Sequence, residues 1–351
     1  MLTRFQNILI IKPSSLGDIV SALPALSALR KSCPDARISW LIRPEFAGLL
    51  KNHPFLTQII LFDRKLLAKA WYNPRAFRAL LSLISELRQN QFDAVIDLQG
   101  LFRTAVLAWL SKCKNRFGTA DAREFAHLFY TKKIPKDENC VHIIDYQLKV
   151  VEAAGSNTKN VGFVLPIVPT ESDSLNRLLA DHNITSNSYA VLIPGSAHKS
   201  KCWPLENFAI LAARIYSQFG LSIVATGTKT ENLLVEKINN LTDTPIVNFA
   251  GLTTLEELVV LLKNAKVVVS NDTGPGHIAA ALGTPLVMIF GCSNPARLAP
   301  CKRFDCVVAK DPFDRGPDIK SKNPRYDIRA ISANEVYNKV CEQIEKTSLP
   351  A

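Results

Sequence analysis

The segment NILIIKPSSLGDIVSALPALSALRKS (residues 7–32) decides the fold. Residues 7–12 form a short β-branched run of the kind a parallel sheet buries. Ser14–Asp18 makes a turn, and residues 19–32 carry apolar side chains at helical spacing. Strand, turn and helix in that order begin a βαβ unit. Outward from it, ARISWLI (36–42), TQIILF (57–62) and DAVIDLQG (93–100) read as further strands, with FRALLSLISELRQN (77–90) and FRTAVLAWLSK (102–112) as helices.

The pattern starts again near Tyr189. YAVLIPGS (189–196), LSIVATGT (221–228), PIVNFAG (245–251), KVVVSNDTG (266–274) and PLVMIFG (285–291) are strand candidates. NFAILAARIYSQF (207–219), TENLLVEKINN (230–240) and TLEELVVLLKNA (254–265) are the helices between them. The prediction is an α/β chain of two doubly wound, Rossmann-like domains facing a cleft at the carboxyl ends of their strands. Their expected bounds are 1–168 and 169–331, with 332–351 a closing helix that returns to the first domain. Pro166 and Pro169 mark the linker, a hinge at 166–170, and 310–330 is a polar, Pro-rich loop whose length the sequence does not explain.

A length of 351 residues fits two domains at roughly 150 residues each. A hydrophobic content of 47% excludes general disorder, and charges interrupt every apolar run before it could span a bilayer. The N-terminus, MLTRFQNILIIKPSS, lacks a signal-peptide pattern, so a soluble, cytoplasmic protein is expected. The eight cysteines show no C-x-x-C spacing and read as reduced packing thiols. Net charge is +11, carried almost wholly by residues 1–170, where 23 Lys and Arg face 13 Asp and Glu. That half is either a solvated basic face or one that meets an anionic partner.

Four motifs fall at strand ends. In KPSSLGDIV (12–20), Gly17 permits a tight turn and Asp18 enters the first helical turn, where the dipole favours its carboxylate. Asp18 could serve as general base, or merely cap the helix. In LIPGSAHKSKCWP (192–204), Ser196 and either Lys199 or Lys201 could cradle phosphate, or be a solvated turn. In VVVSNDTGPGHIAAALG (267–283), Asp272, Thr273, Gly274 and His277 line a glycine-rich strand-to-helix turn suited to a diphosphate; His277 could equally be satisfied by its own loop. Glu231 in TGTKTEN could bind ribose hydroxyls, or begin a helix.

SSLGDIV with LPAL, DLQGLFRTA, PGS followed by KCWP, and NDTGPGH resemble the ADP-heptose:lipopolysaccharide heptosyltransferases of glycosyltransferase family nine, from residue 7 to about 295. KAWY (69–72) and AREFAHLFY (122–130) look most like heptosyltransferase I. The resemblance implies a GT-B fold with the acceptor on the first domain and the ADP-sugar on the second. It implies inverting transfer of heptose from ADP-L-glycero-D-manno-heptose to the Kdo of Kdo-lipid A, Asp18 acting as base and Lys201 stabilising the leaving ADP. Ser196, Lys201, Glu231, Asp272, Thr273, Gly274 and His277 then match donor-binding positions, and Ser15, Gly17, Lys65, Lys69, Gln99 and Arg123 acceptor-side ones. Ala197 stands where type I enzymes commonly have a second hydroxyl residue, and Leu66 and Ala68 thin a basic cluster. The expectation includes no metal or other cofactor, no nucleic-acid partner, a monomer, and peripheral association with the anionic inner face of the cytoplasmic membrane. Competing readings are a family member with another sugar or acceptor, the second heptose included, a nucleotide-sugar epimerase on the same scaffold, and a basic nucleic-acid binder.

Overall fold

β1 (Asn7–Ile11) is buried from Ile8 to Ile11 because it lies inside a parallel sheet covered on both faces. The structure is a computed structural model that describes residues 5–135, 137, 140–166, 173–316 and 318–346. The chain divides into two units, Met1–Ile167 and Val168–Ala351. Of the expected hinge, only Pro166 lies within the described residues.

In the first unit β1 is joined by β2 (Arg37–Ile42), β3 (Gln58–Leu61), β4 (Ala94–Asp97), β5 (Arg116–Thr119) and β6 (Lys132–Ile134). The order is β3-β2-β1-β4-β5-β6, all parallel. The helices are α1 (Leu16–Ser32), α2 (Arg64–Leu67), α3 (Pro74–Gln89), α4 (Phe102–Leu110) and α5 (Ile143–Ala153). α1 packs with α5. α3 and α4 cover the sheet with Leu83, Leu87, Leu107 and Ala108 against Leu9, Leu41 and Val95. β5, β6 and α5 were not legible in the sequence: the strands are short and charged, and the helix is cut from its neighbours by a polar loop.

The second unit repeats the topology without repeating the sequence. Its strands are β7 (Tyr189–Ile193), β8 (Ser222–Ala225), β9 (Ile246–Asn248), β10 (Val267–Asn271), β11 (Leu286–Phe290) and β12 (Val307–Ala309), in the order β12-β11-β10-β7-β8-β9. Its helices are α6 (Asp173–Ala180), α7 (Leu205–Phe219), α8 (Asn232–Asn239), α9 (Leu255–Lys263), α10 (Gly274–Ala281), α11 (Pro295–Leu298) and α12 (Ala333–Lys346). Among the described residues no helix is long and apolar enough to cross a membrane.

The closing helix corrects one expectation. Rather than returning to the first unit, α12 belongs to the second. Val336, Val340 and Ile344 enter its core beside Leu211 and Ile215 of α7, and the Arg214 guanidinium sits 3.7 Å over the Tyr337 ring. Burial of each apolar side chain contributes about 1.5–3 kcal/mol, so the helix is held where its stripe finds a groove.

The 310–330 loop also gains a physical account. Arg315 is 8% exposed, and its guanidinium donates to the carbonyls of Ser293 (2.7 Å), Lys310 (3.0 Å), Asp311 (3.2 Å) and Gly291. Asn294 Nδ2 donates to the carbonyls of Gly316 (2.8 Å) and Asp318 (3.0 Å). The loop is thereby pinned to the chain leaving β11.

Candidate active site

In each unit the first and fourth strands are neighbours whose chain connections leave in opposite directions, and ligands of such sheets bind at that switch point. In the second unit the strands are β7 and β10. Asn271, fully buried at the end of β10, joins them: its Oδ1 accepts the Trp203 N–H (3.1 Å) and its Nδ2 donates to the Pro194 carbonyl (2.7 Å). The 194–203 loop is thus tied to the loop carrying Asp272. Trp203 itself is buried and donates Nε1–H to the Ile331 carbonyl at 2.8 Å.

On this frame Lys201 reaches across the switch point and its ammonium donates to Oδ2 of Asp272. His277, one turn into α10, places Nε2 3.7 Å from Oδ1 of the same carboxylate. Burial alone would raise the Asp272 carboxyl, but the nearby His277 ring and the Lys201 ammonium override it and hold the group well below the usual carboxylate range. Thr273 is the N-cap of α10 and Gly274 its first residue. Gly276 packs so closely on Ser270 and Met288 that a Cβ would collide with both.

On the other side of β7, Glu231 closes a capping turn. Its Oε2 accepts the Thr228 N–H (2.6 Å) and hydroxyl (2.8 Å), and the carboxylate lies against Gly195, where any Cβ would displace it. Ser196 is half-buried beside it, and Ala197 and Lys199 are exposed. The structure therefore brings Ser196, Lys201, Glu231, Asp272, Thr273, Gly274 and His277 to three adjacent strand ends.

In the first unit the switch point lies between β1 and β4. Asp18 Oδ2 accepts both the N–H of Ser15 (2.9 Å) and its hydroxyl (2.7 Å), the geometry of a capping carboxylate, next to Gly17. At the end of β4, Asp97 is buried and takes the Tyr130 hydroxyl (2.8 Å) together with the N–H groups of Gln99 (2.8 Å) and Gly100 (3.1 Å). Burial outweighs these donors and pushes the Asp97 carboxyl up. Arg123 joins this loop through its N–H to the Gly100 carbonyl at 3.1 Å, its side chain exposed. Lys12, also buried, donates Nζ to the Leu98 carbonyl at 2.9 Å. Ser15, Gly17, Asp18, Gln99 and Arg123 are thus set on adjacent strand ends. Lys65 on α2 and Lys69 just beyond it follow β3, two strand positions from β1, and both are exposed.

Sequence reading passed over Asn271, Arg315, Lys12 and the Asp97–Tyr130 pair. A polar residue closing a β-branched strand was the available signal for Asn271, Lys12 and Asp97. Nothing local marks Tyr130 or Arg315, whose partners are distant in sequence. Among the described residues no group of three or more His, Cys, Asp or Glu side chains is placed to hold a metal ion.

Residues 80–327 match the sequence profile of glycosyltransferase family 9 (heptosyltransferase). The lipopolysaccharide core heptosyltransferase OpsX of Haemophilus influenzae is 29% identical over 309 residues, covering 87% of this chain and 84% of that one. Lipopolysaccharide heptosyltransferase 1 of Campylobacter coli is 29% identical over 308 residues, 84% of this chain and 86% of that one. The structure of Escherichia coli heptosyltransferase WaaC with ADP superposes with a TM-score of 0.77 at 23% identity, over 96% of this chain and 99% of that one. That likeness extends the two Rossmann-like domains over the whole fold. With the profile match covering residues 80–327, which take in β4 of the first unit and the whole second switch point, this chain belongs to glycosyltransferase family 9.

Proposed function

We propose that this glycosyltransferase moves heptose from ADP-L-glycero-D-manno-heptose to the Kdo of Kdo-lipid A, in the inner core of lipopolysaccharide. The observation that carries the reading is the Lys201–Asp272–His277 cluster at the second unit's switch point. An ammonium has three donors, so the Asp272 carboxylate can orient Lys201 without exhausting it. Lys201, the Ser196 hydroxyl and the α10 N-terminus then face the diphosphate, and the Glu231 carboxylate suits ribose hydroxyls. A core heptosyltransferase and a heptosyltransferase 1 among the similar proteins favour this donor and acceptor.

The transfer is a single displacement. Asp18 takes the proton of the acceptor hydroxyl as that oxygen bonds to the anomeric carbon. The bond from that carbon to the phosphate oxygen breaks with its electron pair, and ADP leaves from the opposite face with inversion. Charge developing on the diphosphate is met by Lys201 and loop N–H groups, the kind of preorganised stabilisation that is usually the largest catalytic contribution. Ser15, Gly17, Gln99 and Arg123 line the acceptor side, with Lys65 and Lys69 meeting its anionic groups.

A donor and acceptor panel tests this. ADP-heptose and other nucleotide sugars are each offered with Kdo-lipid A and with its heptosylated form. The expected product forms from ADP-heptose and Kdo-lipid A alone. Product only on the heptosylated acceptor would move the enzyme to the second transfer, and donor epimerised without acceptor would end the reading.

A further inference from the structure

A carboxylate and a phenol are withdrawn from water together at the first unit's switch point: Asp97 is 1% exposed and Tyr130 4%. A buried carboxylate is costly unless donors surround it. Here they come from two separate segments. The N–H groups of Gln99 and Gly100 belong to the turn between β4 and α4, and the Tyr130 hydroxyl to the end of the 123–130 segment. The start of that segment is tied to the same turn, the Arg123 N–H donating to the Gly100 carbonyl at 3.1 Å. Between the two ties, Glu124 and Phe125 take left-handed backbone, with φ of 56° and 60°, which side chains of their size adopt only where the surroundings impose it. The Glu124 carboxylate accepts the Phe102 N–H at 3.2 Å. The Tyr130 ring lies so close to Gly118 that a Cβ there would come within 2.2 Å of it. A further tie comes from Lys12, just after β1, whose ammonium donates to the Leu98 carbonyl at 2.9 Å.

These ties hold the groups proposed for the acceptor side. Gln99 sits in the turn, and Arg123 opens the second segment. The side-chain oxygen of Gln99 is buried and has no donor among the described residues. A buried acceptor left without a donor costs free energy, which a ligand hydroxyl recovers. Arg123 is exposed and offers a forked set of donors to a carboxylate or phosphate. We propose that Asp97 and Tyr130 are positioning residues, a clamp that holds Gln99 and Arg123 at the spacing an anionic sugar acceptor requires. The proposal rests on the acceptor side described under the proposed function, and one arm of its test needs no substrate.

Tyr130→Phe removes the clamp's hydroxyl and keeps the ring beside Gly118. Hydrogen exchange at the Gln99, Gly100 and Arg123 amides of the full chain should become about tenfold faster. Steady-state rates are then read with whichever of Kdo-lipid A and its heptosylated form the enzyme uses. The acceptor KM should rise about tenfold, with kcat and the ADP-heptose KM each within about twofold of wild type. Asp97→Asn, which keeps an oxygen for the two turn N–H groups, should raise the acceptor KM less than Asp97→Ala. Tyr130→Phe combined with Arg123→Ala should cost less than the product of the single effects, because the hydroxyl acts through the arginine. Leu83→Ala opens a cavity in the core of the same unit; it should lower the thermal midpoint at least as far and leave the acceptor KM at the wild-type value. Unchanged acceptor KM in Tyr130→Phe, a loss confined to kcat, or a rise in KM matched by Leu83→Ala overturns the proposal. So does wild-type exchange at the three amides in Tyr130→Phe, a result that involves no acceptor and is therefore distinguishable from an error in the proposed reaction.

Discussion

The Lys201 ammonium, carried by the loop after β7, is hydrogen-bonded to the carboxylate of Asp272 at the end of β10, and both side chains are largely withdrawn from water. Removing one partner strands the other as a buried, uncompensated charge. Lys201→Ala should therefore cost about 3 kcal/mol of stability, in the range found for broken buried pairs. It should also weaken ADP binding and turnover together. Urea unfolding and ADP calorimetry on one preparation check both effects; unchanged donor affinity would remove Lys201 from the diphosphate.

The same carboxylate sets a pH dependence. Its folded pKa lies below that of an unfolded Asp, about 3.9, so its contribution is full above that value and is lost as pH falls below it. Between pH 5 and 2, roughly the window bracketing the unfolded pKa, the wild type should lose more stability than Asp272→Asn. Denaturant midpoints across that interval measure the difference, and parallel curves would contradict the assignment.

Asp18 has two separable tasks. As the cap that accepts both Ser15 donors it contributes about 1 kcal/mol, and as the proposed base it carries about 10²–10⁴ of the rate. Asp18→Ala should show a modest fall in melting temperature, a collapse of kcat, and ADP affinity within about twofold of wild type. A variant that melts early yet turns over normally would leave Asp18 as a cap alone.

Gly195 is the seat of the Glu231 carboxylate. Gly195→Ala pushes that carboxylate away with little change in the core, so ADP affinity should fall about tenfold, as with one lost charged hydrogen bond. Titration of ADP into Gly195→Ala and Glu231→Gln should give similar losses. A normal affinity in either protein would exclude Glu231 from the ribose site.

Arg315 holds the 310–330 loop through four carbonyl groups. Arg315→Ala leaves these carbonyls short of a donor and should release the loop to trypsin at Lys320 and Lys322 while the rest of the chain resists. Timed digestion with mass spectrometry reads the cut sites. Equal resistance in wild type and variant would show that other contacts suffice.

The central strands and the turns beside them were legible because their information is local. A β-branched run such as Val267–Asn271 can be buried on both faces of a sheet, and the Asp-Thr-Gly-Pro-Gly-His turn after it has few backbone solutions. Edge strands such as β6 and β12 were not legible: they are three residues each and carry no periodicity to detect. The closing helix failed for a related reason, since an amphipathic stripe states that a face must be covered and not by which neighbour.

Sequence alone determined which residue types stand at the strand ends: a carboxylate after β1, a hydroxyl and two lysines after β7, an acid after β8 and a histidine on α10. Only the tertiary structure decided that Lys201 meets Asp272, that Glu231 rests on Gly195, and that Asn271 ties two loops into one frame. Those pairings depend on strand order, which places chain segments dozens of residues apart on neighbouring edges of one sheet. Strand order follows from long-range packing and the right-handedness of crossovers, neither of which is written in any short stretch of the chain.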